Sequence, residues 1–341
     1  MNDTFLKACR AEPVPYTPVW LMRQAGRYMP QYQEVRRKVD FLTLCKSPEL
    51  AAQVTLQPVE VLGVDAAILF SDILIPVEAM GMRLEFSEQQ GPVLSPPVRG
   101  QAELEGLRVP EPSKDVPFVL ESIRLLRQSL QVPLIGFSGA PFTLATYMVE
   151  GGGSKSFFYT KWMMFRQREV FLGLLQMLTE TVCRYLRAQI EAGAQAVQLF
   201  DTWAGILGPQ DYRTYALPYV KQVVRELKGL GVPIIYFLNG CAGLLEEMLQ
   251  SGADVLSLDW RIDIAQAARS VGAEAVLQGN LDPCALLLPR QELSQRVQDI
   301  LQGARAARGH VFNLGHGVLP QIPLEAVKHL VQEVHRLSRR S

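Results

Sequence analysis

Eight short apolar runs recur along this chain, each followed by residues at helical spacing, and this alternation restricts the fold more than any other feature. The runs occupy residues 18–22, 65–70, 133–137, 196–200, 233–237, 255–259, 275–279 and 311–315. Each is too short for a helix, and most lack the alternation of a half-exposed strand, so they fit strands buried on both faces of a parallel sheet. Between them, Ser47-Pro48-Glu49 opens a helix with a capping serine, a proline at the first position and an acid in the first turn. Further helices are predicted over 116–130, 166–192, 209–228, 243–250, 264–270, 290–307 and 324–337. Phe171, Leu174, Leu175, Leu178, Val182 and Tyr185 keep the spacing of one buried helical face. Eight strand–helix units predict an α/β fold, a closed (β/α)8 TIM-type barrel. The rival open, doubly wound sheet wants a GxGxxG turn after a strand, and the chain has none.

A typical barrel needs about 250 residues, and this chain has 341. The surplus falls after the second and third runs. Residues 80–99 alternate at Met82-Arg83-Leu84-Glu85-Phe86 and then meet Gly91-Pro92 and Pro96-Pro97, which reads as a hairpin excursion. Residues 139–165 read as a long loop over one barrel face. Linker composition is absent, so a single domain over 1–341 is expected.

Charge is balanced, with 34 Lys and Arg against 34 Asp and Glu, which argues against nucleic acid as a principal partner. No apolar run approaches the length that spans a bilayer. The start, Met1-Asn2-Asp3-Thr4-Phe5-Leu6-Lys7, has neither a secretory nor a transit-peptide pattern. Cys9, Cys45, Cys183, Cys241 and Cys284 are scattered without a CxxC pair, as reduced thiols of a cytoplasmic protein would be.

In such barrels the reacting groups come from the C-terminal ends of the strands, and the polar residues here are distributed accordingly. Arg23 and Arg27 follow the first run, in a stretch without acids between Glu12 and Glu34. A guanidinium stays charged and grips a carboxylate with two parallel bonds, so this patch suits a small anionic ligand. Asp72 follows the second run among Phe70, Ile73 and Leu74, where it either caps the next helix or serves as a lone reactive carboxylate. Tyr147 follows the third run, as a core tyrosine or as a site hydroxyl. Asp201-Thr202-Trp203, Asn239-Gly240-Cys241 and Asp259-Trp260 end the next three runs. Asp201 and Asp259 read as braces between loops. His316 lies between two glycines that let the backbone crowd a ligand, while His329 and His335 fall on the polar C-terminal helix as surface residues. Gly151-Gly152-Gly153-Ser154 lacks the strand context and the Gly-Lys-Thr/Ser ending of a phosphate loop.

These residues carry a resemblance over essentially the whole length. Pro18-Val19-Trp20-Leu21-Met22-Arg23-Gln24-Ala25-Gly26-Arg27-Tyr28, Phe70-Ser71-Asp72-Ile73-Leu74 and Gly139-Ala140-Pro141-Phe142-Thr143 resemble motifs of the uroporphyrinogen decarboxylase family. So do Tyr147-Met148-Val149-Glu150-Gly151-Gly152-Gly153-Ser154, Leu277-Gln278-Gly279-Asn280-Leu281-Asp282-Pro283 and Asn313-Leu314-Gly315-His316-Gly317. The resemblance implies a (β/α)8 barrel, a homodimer with facing clefts, no cofactor and no metal. It implies conversion of uroporphyrinogen III to coproporphyrinogen III, by loss of CO2 from four acetates of a macrocycle with eight carboxylates. It further implies that Arg23, Asp72, Tyr147 and His316 are catalytic, and that Arg23, Gln24, Arg27, Asp72, Tyr147, Thr202 and His316 bind the substrate. Thr202 stands where some members have serine, and Trp203 where animal members have histidine, so the chain looks like the bacterial and plastid branch. The related corrinoid and thiol methyltransferases resemble zinc enzymes with a His-x-Cys pair after the fifth strand. Here that place holds Asn239-Gly240-Cys241, which leaves the three ligands of a catalytic zinc incomplete.

Overall fold

The computed structural model describes residues 1–87 and 91–340. Its main sheet is parallel throughout and has the order β1-β4-β5-β6-β7-β8-β9. The strands are β1 (Ala67–Ile68), β4 (Leu134–Gly139), β5 (Ala196–Asp201), β6 (Ile234–Leu238), β7 (Val255–Leu258), β8 (Val276–Gln278) and β9 (Gly309–Val311). Seven of the expected runs therefore supply strands, with the last one displaced two residues toward the N-terminus. β4, β6, β7 and β8 are buried at every position and β5 at all but Phe200, as continuous apolar runs demand.

The first run is the exception. Residues 18–22 form no strand; Val19 makes one isolated parallel bridge, to Phe312. Pro18 has no N–H; Trp20 N keeps one long backbone bond, to Phe312 O at 3.4 Å, and the amides around it go to side chains. Val19 N donates to Asp65 Oδ2 at 2.8 Å, Leu21 N to Gln24 Oε1 at 3.1 Å and Met22 N to Asn313 Oδ1 at 3.1 Å. The carbonyls face both edges of the sheet: Pro18 O accepts from Phe312 N at 2.8 Å, and Val19 O from Asp65 N at 2.8 Å.

Inside the curl, Trp20, Ile135, Ala196, Ile235, Phe237, Val255, Val276 and Val311 pack together with Phe5 and Ala8 of the helix Thr4–Cys9. A glutamine links the polar groups of this core, although Gln198 Nε2 is left without a partner among the described residues. Trp20 Nε1 donates to Gln278 Oε1 at 2.9 Å, and Gln278 Nε2 donates to Ser257 Oγ at 2.8 Å and Gln198 Oε1 at 3.0 Å. Outside the sheet, the helix Arg168–Ala192 buries Phe171, Leu174, Leu175, Leu178, Val182 and Tyr185, the face predicted from their spacing. Each such side chain contributes about 1.5–3 kcal/mol by leaving water.

Two helices are broken where one was expected. The stretch 166–192 begins only at Arg168, because Gln167 leaves helical geometry (φ −132°, ψ 49°) and separates it from the helix Phe158–Arg166. The stretch 209–228 divides at Ala216 (φ −120°, ψ −58°), since Pro218 has no N–H to continue the ladder and clashes with the turn before it. The helix Pro48–Leu62 begins at the expected place, although the Ser47 side chain makes no capping bond.

The surplus segments stand together beside the sheet. Arg83–Ser87 (β2) pairs antiparallel with Gly91–Ser95 (β3), and the turn between them lies outside the described residues. Leu94 N donates to Gly151 O at 2.9 Å, which docks β3 on the glycine-rich segment. Residues 139–165 are not a long loop, contrary to expectation. They contain the helix Pro141–Glu150 and the start of Phe158–Arg166. The first escaped notice because Phe142, Thr143, Leu144, Ala145, Thr146, Met148 and Val149 are all buried, so no amphipathic period marks it.

Candidate active site

The first strand-end segment turns sharply at Arg23, which holds a left-handed backbone (φ 58°) unusual for a residue with a side chain. Such a conformation costs roughly 1–2 kcal/mol, and its neighbours hold it. Gln24 is buried; its Oε1 accepts from Leu21 N, and its Nε2 donates to Ala66 O at 3.2 Å. Tyr28 OH closes the turn on Gln24 O at 2.6 Å. Gln24 thus spends its amide on the backbone and positions the arginines. Arg23 and Arg27 are exposed, with no carboxylate partner among the described residues.

Both flanks of His316 are fixed by close packing. A Cβ on Gly317 would lie 2.5 Å from Arg23 Cδ, and one on Gly315 would lie 2.3 Å from Trp260 N. Only glycine admits the Arg23 side chain on one flank and the Trp260 backbone on the other. The imidazole meets Phe237 at 6.1 Å and Trp260 at 6.4 Å between ring centroids, both edge-on. Burial first, then the positive charges of Arg23 and Arg261, push His316 down to about 4. It is therefore a neutral imidazole at physiological pH, a donor through one nitrogen only.

Asp72 is half-buried before the short helix Ile75–Ala79. Its Oδ1 accepts from Leu74 N at 2.9 Å, so the helix-entry role is real. Its Oδ2 has no hydrogen-bond partner among the described residues. Burial raises the carboxyl to about 6, against the lowering by the Leu74 amide and the Arg23 charge. Tyr147, on the helix Pro141–Glu150, feels the charges of both Asp72 and Arg23, and burial raises its phenol, which keeps it a donor. Trp203 supports the Tyr147 ring from 5.7 Å. Thr202 is half-buried between Asp201 and Trp203; its carbonyl accepts from Asn239 Nδ2 at 3.3 Å, while its hydroxyl makes no hydrogen bond among the described residues.

The other strand-end acids are spent on the scaffold. Asp201 is fully buried and accepts from Thr143 Oγ1 at 2.6 Å and Tyr236 OH at 2.8 Å. Asp259 is fully buried and accepts from Gly240 N at 3.0 Å, Cys241 Sγ at 3.2 Å and Arg261 Nη1 at 2.5 Å. Burial first, and then Asp259, push the Cys241 thiol up, so it is a held thiol, not a thiolate ligand. Asn239 Oδ1 accepts from Arg261 at 3.0 Å. Among the described residues no group of three His, Cys, Asp or Glu could hold a metal ion.

Arg23 is the common member of the site: its charge acts on Asp72, Tyr147 and His316, and Asp72 acts on Tyr147. The structure gives Gln24 a supporting place. Two residues escaped the sequence reading. Arg261 lies one position past Asp259-Trp260 and was signalled only by being a further arginine at a strand end. His335, expected on the surface, bonds through Nε2 to Asp65 Oδ2 at 2.7 Å and clasps the C-terminal helix to the first segment.

The sequence model of the family described as Uroporphyrinogen decarboxylase (URO-D) matches residues 1–337. The chain belongs to the uroporphyrinogen decarboxylase family. It is 56% identical over 338 residues to uroporphyrinogen decarboxylase of Desulfotalea psychrophila, covering 99% of each chain. It is 54% identical over 340 residues to that of Carboxydothermus hydrogenoformans, covering 99% of this chain and 97% of the relative. Among solved structures, a methyltransferase from Methanosarcina mazei superposes with a TM-score of 0.80 at 24% identity, covering 98% of each chain. That likeness is one of fold. Among the described residues no helix is long and apolar enough to cross a membrane.

Proposed function

We propose that this chain removes CO2 from the acetates of uroporphyrinogen III, one after another, and releases coproporphyrinogen III. It is a carboxy-lyase of tetrapyrrole biosynthesis. The observation that carries the mechanism is the unspent Oδ2 of Asp72 beside Arg23 and Tyr147. Loss of CO2 leaves an electron pair, and a pyrrole protonated at a ring carbon accepts it, so the substrate itself supplies the sink. The site must then favour a cationic ring. Asp72 accepts from the pyrrole N–H groups and opposes that charge in a partly desolvated place, where a fixed carboxylate counts for more than in water. Arg23 and Arg27 grip carboxylates, and the Tyr147 hydroxyl, the Thr202 hydroxyl and the neutral His316 donate to others. Gln24 acts through the arginine turn and does not touch the substrate.

Two features of architecture belong to the same reading. The chain forms one domain in which residues 18–22 serve as the eighth stave of a closed barrel; the bonds of Pro18 and Val19 to both sheet edges support this. A second copy covers the aromatic face of the helix Phe158–Arg166, where Phe158, Tyr159, Trp162 and Phe165 stand exposed beside the mouth. Phe157 packs on Trp203 at 5.1 Å, so this face continues into the site. Sedimentation checks the dimer: the wild type should run at twice the chain mass and a Phe158→Ser/Phe165→Ser variant as a monomer. The free cysteines fit a cytoplasmic setting.

The deciding experiment is anaerobic incubation with uroporphyrinogen III, followed by separation of the oxidised products by carboxyl number. A ladder from eight carboxylates to four is expected. Unchanged substrate would overturn the reading.

A further inference from the structure

Arg261 follows β7 by three residues and stacks on Trp260, whose backbone packs against Gly315 beside His316. Its Nη1 is pinned, donating to Asp259 Oδ2 at 2.5 Å and to Asn239 Oδ1 at 3.0 Å. Its guanidinium stacks on Trp260, 4.2 Å from the ring centroid. Asp259 is itself held by Gly240 and Cys241, so the anchor is rigid. Even so, the Arg261 side chain is 49% exposed, and Nε and Nη2 have no partner among the described residues. A brace alone would not leave that edge open. Stacking and a fixed Nη1 remove the rotamer freedom that an arginine normally loses on binding, and the remaining Nε/Nη2 edge is a planar fork of the shape a carboxylate accepts.

The placement says which molecule the fork serves. Gly317 packs on the Arg23 side chain, and Gly315 on Trp260, the residue on whose ring Arg261 stacks, so both arginines lie near His316. Both charges act on that imidazole. Two guanidinium groups near one neutral donor suit a ligand with several carboxylates spaced around a ring. We propose that Arg261 is a carboxylate-binding residue of the substrate site, holding a side chain that is not being decarboxylated while Arg23 and Asp72 act on another. The proposal rests on the tetrapyrrole reading above. Arg261 then orients the macrocycle and takes no part in CO2 loss.

Uroporphyrinogen kinetics of Arg261→Ala test this. A KM raised about tenfold with kcat within about twofold is expected, the signature of lost binding shared by ground and transition states. The KM of the variant should also rise less steeply with salt than that of the wild type, because one charged contact is gone. An unchanged KM, or a fall in kcat at unchanged KM, would overturn the proposal and leave Arg261 as a brace for Asp259. Removing Arg261 strands the buried Asp259 carboxylate. Should the variant fail to fold, comparison of Asp259→Asn with Asp259→Asn/Arg261→Ala reads the same KM ratio without a stranded charge. A wild type that does not consume uroporphyrinogen sinks the parent reading; a wild type that does, beside an Arg261→Ala of equal KM, sinks this inference alone.

Discussion

Asp72 follows β1 and Asp201 ends β5, strands of one sheet separated by β4, and burial raises both carboxyls to about 6. They differ in how their oxygens are used. Asp201 gives one oxygen to Thr143 and the other to Tyr236, whose hydroxyl also meets Tyr212 OH at 2.7 Å. Asp72 gives one oxygen to the Leu74 amide and keeps the other open toward Arg23 and Tyr147. A displaced pKa therefore does not by itself mark the reactive group, since a structural hydrogen-bond hub shows the same displacement. The unspent acceptor marks it. Asp259 agrees with Asp201: three donors leave it nothing to offer a ligand.

The comparison breaks most readily at Asp72. Asp72→Asn keeps the size and the Leu74 bond but removes the counter-charge, and turnover should fall by at least about 10³-fold with the fold intact. Activity assays beside circular dichroism check both halves; near-normal turnover would remove the mechanism. Asp201→Asn should do the reverse. An amide cannot accept at both positions, so Thr143 or Tyr236 is left unsatisfied and unfolding free energy should drop by about 1–3 kcal/mol, read by urea denaturation.

Arg27→Ala should raise KM about tenfold with kcat little changed, the loss of one charge-assisted carboxylate contact. A subtler effect lies in pH. In the proposed mechanism Asp72 works ionised, so kcat/KM should decline tenfold per unit as pH falls below about 6. The limb between about pH 6 and 4 should persist in His316→Gln, because His316 stays neutral down to about 4. Disappearance of the limb in that variant would transfer it to the histidine.

The smallest effect separates function from stability. The folded Asp72 binds its proton more tightly than the unfolded chain does, so its contribution to stability is lost as pH rises from about 4 toward 6. Above that range Asp72→Asn should melt slightly higher than the wild type, by about 2 °C. At pH 3 the difference should vanish. A variant that is inactive yet more stable is what a site residue held against its preference produces.

Strand–helix alternation is a local property, and the sequence carried it: seven of eight apolar runs became parallel strands in chain order. The one failure has a local cause with distant partners. The amides of Val19 and Met22 are taken by Asp65 and Asn313, and the second of these lies 291 residues away. The helix Pro141–Glu150 was illegible because burial on every side erases periodicity. Strand-end position likewise named Arg23, Asp72, Tyr147, Thr202 and His316 as candidates without ranking them.

What the sequence determined alone was the order of elements and the set of polar residues delivered to one end of the sheet, because both follow from short-range spacing and strand direction. Asp201 and Asp259 were already legible as braces between loops, and their bonds agree; whether Asp72 keeps an acceptor to spare was decided only in three dimensions. A hydrogen-bond acceptor is spent or free according to donors brought from other strands. Asp72, Asp201 and Asp259 carry the same side chain, and Thr143, Tyr236 and Arg261 decide which of them are left with nothing to offer.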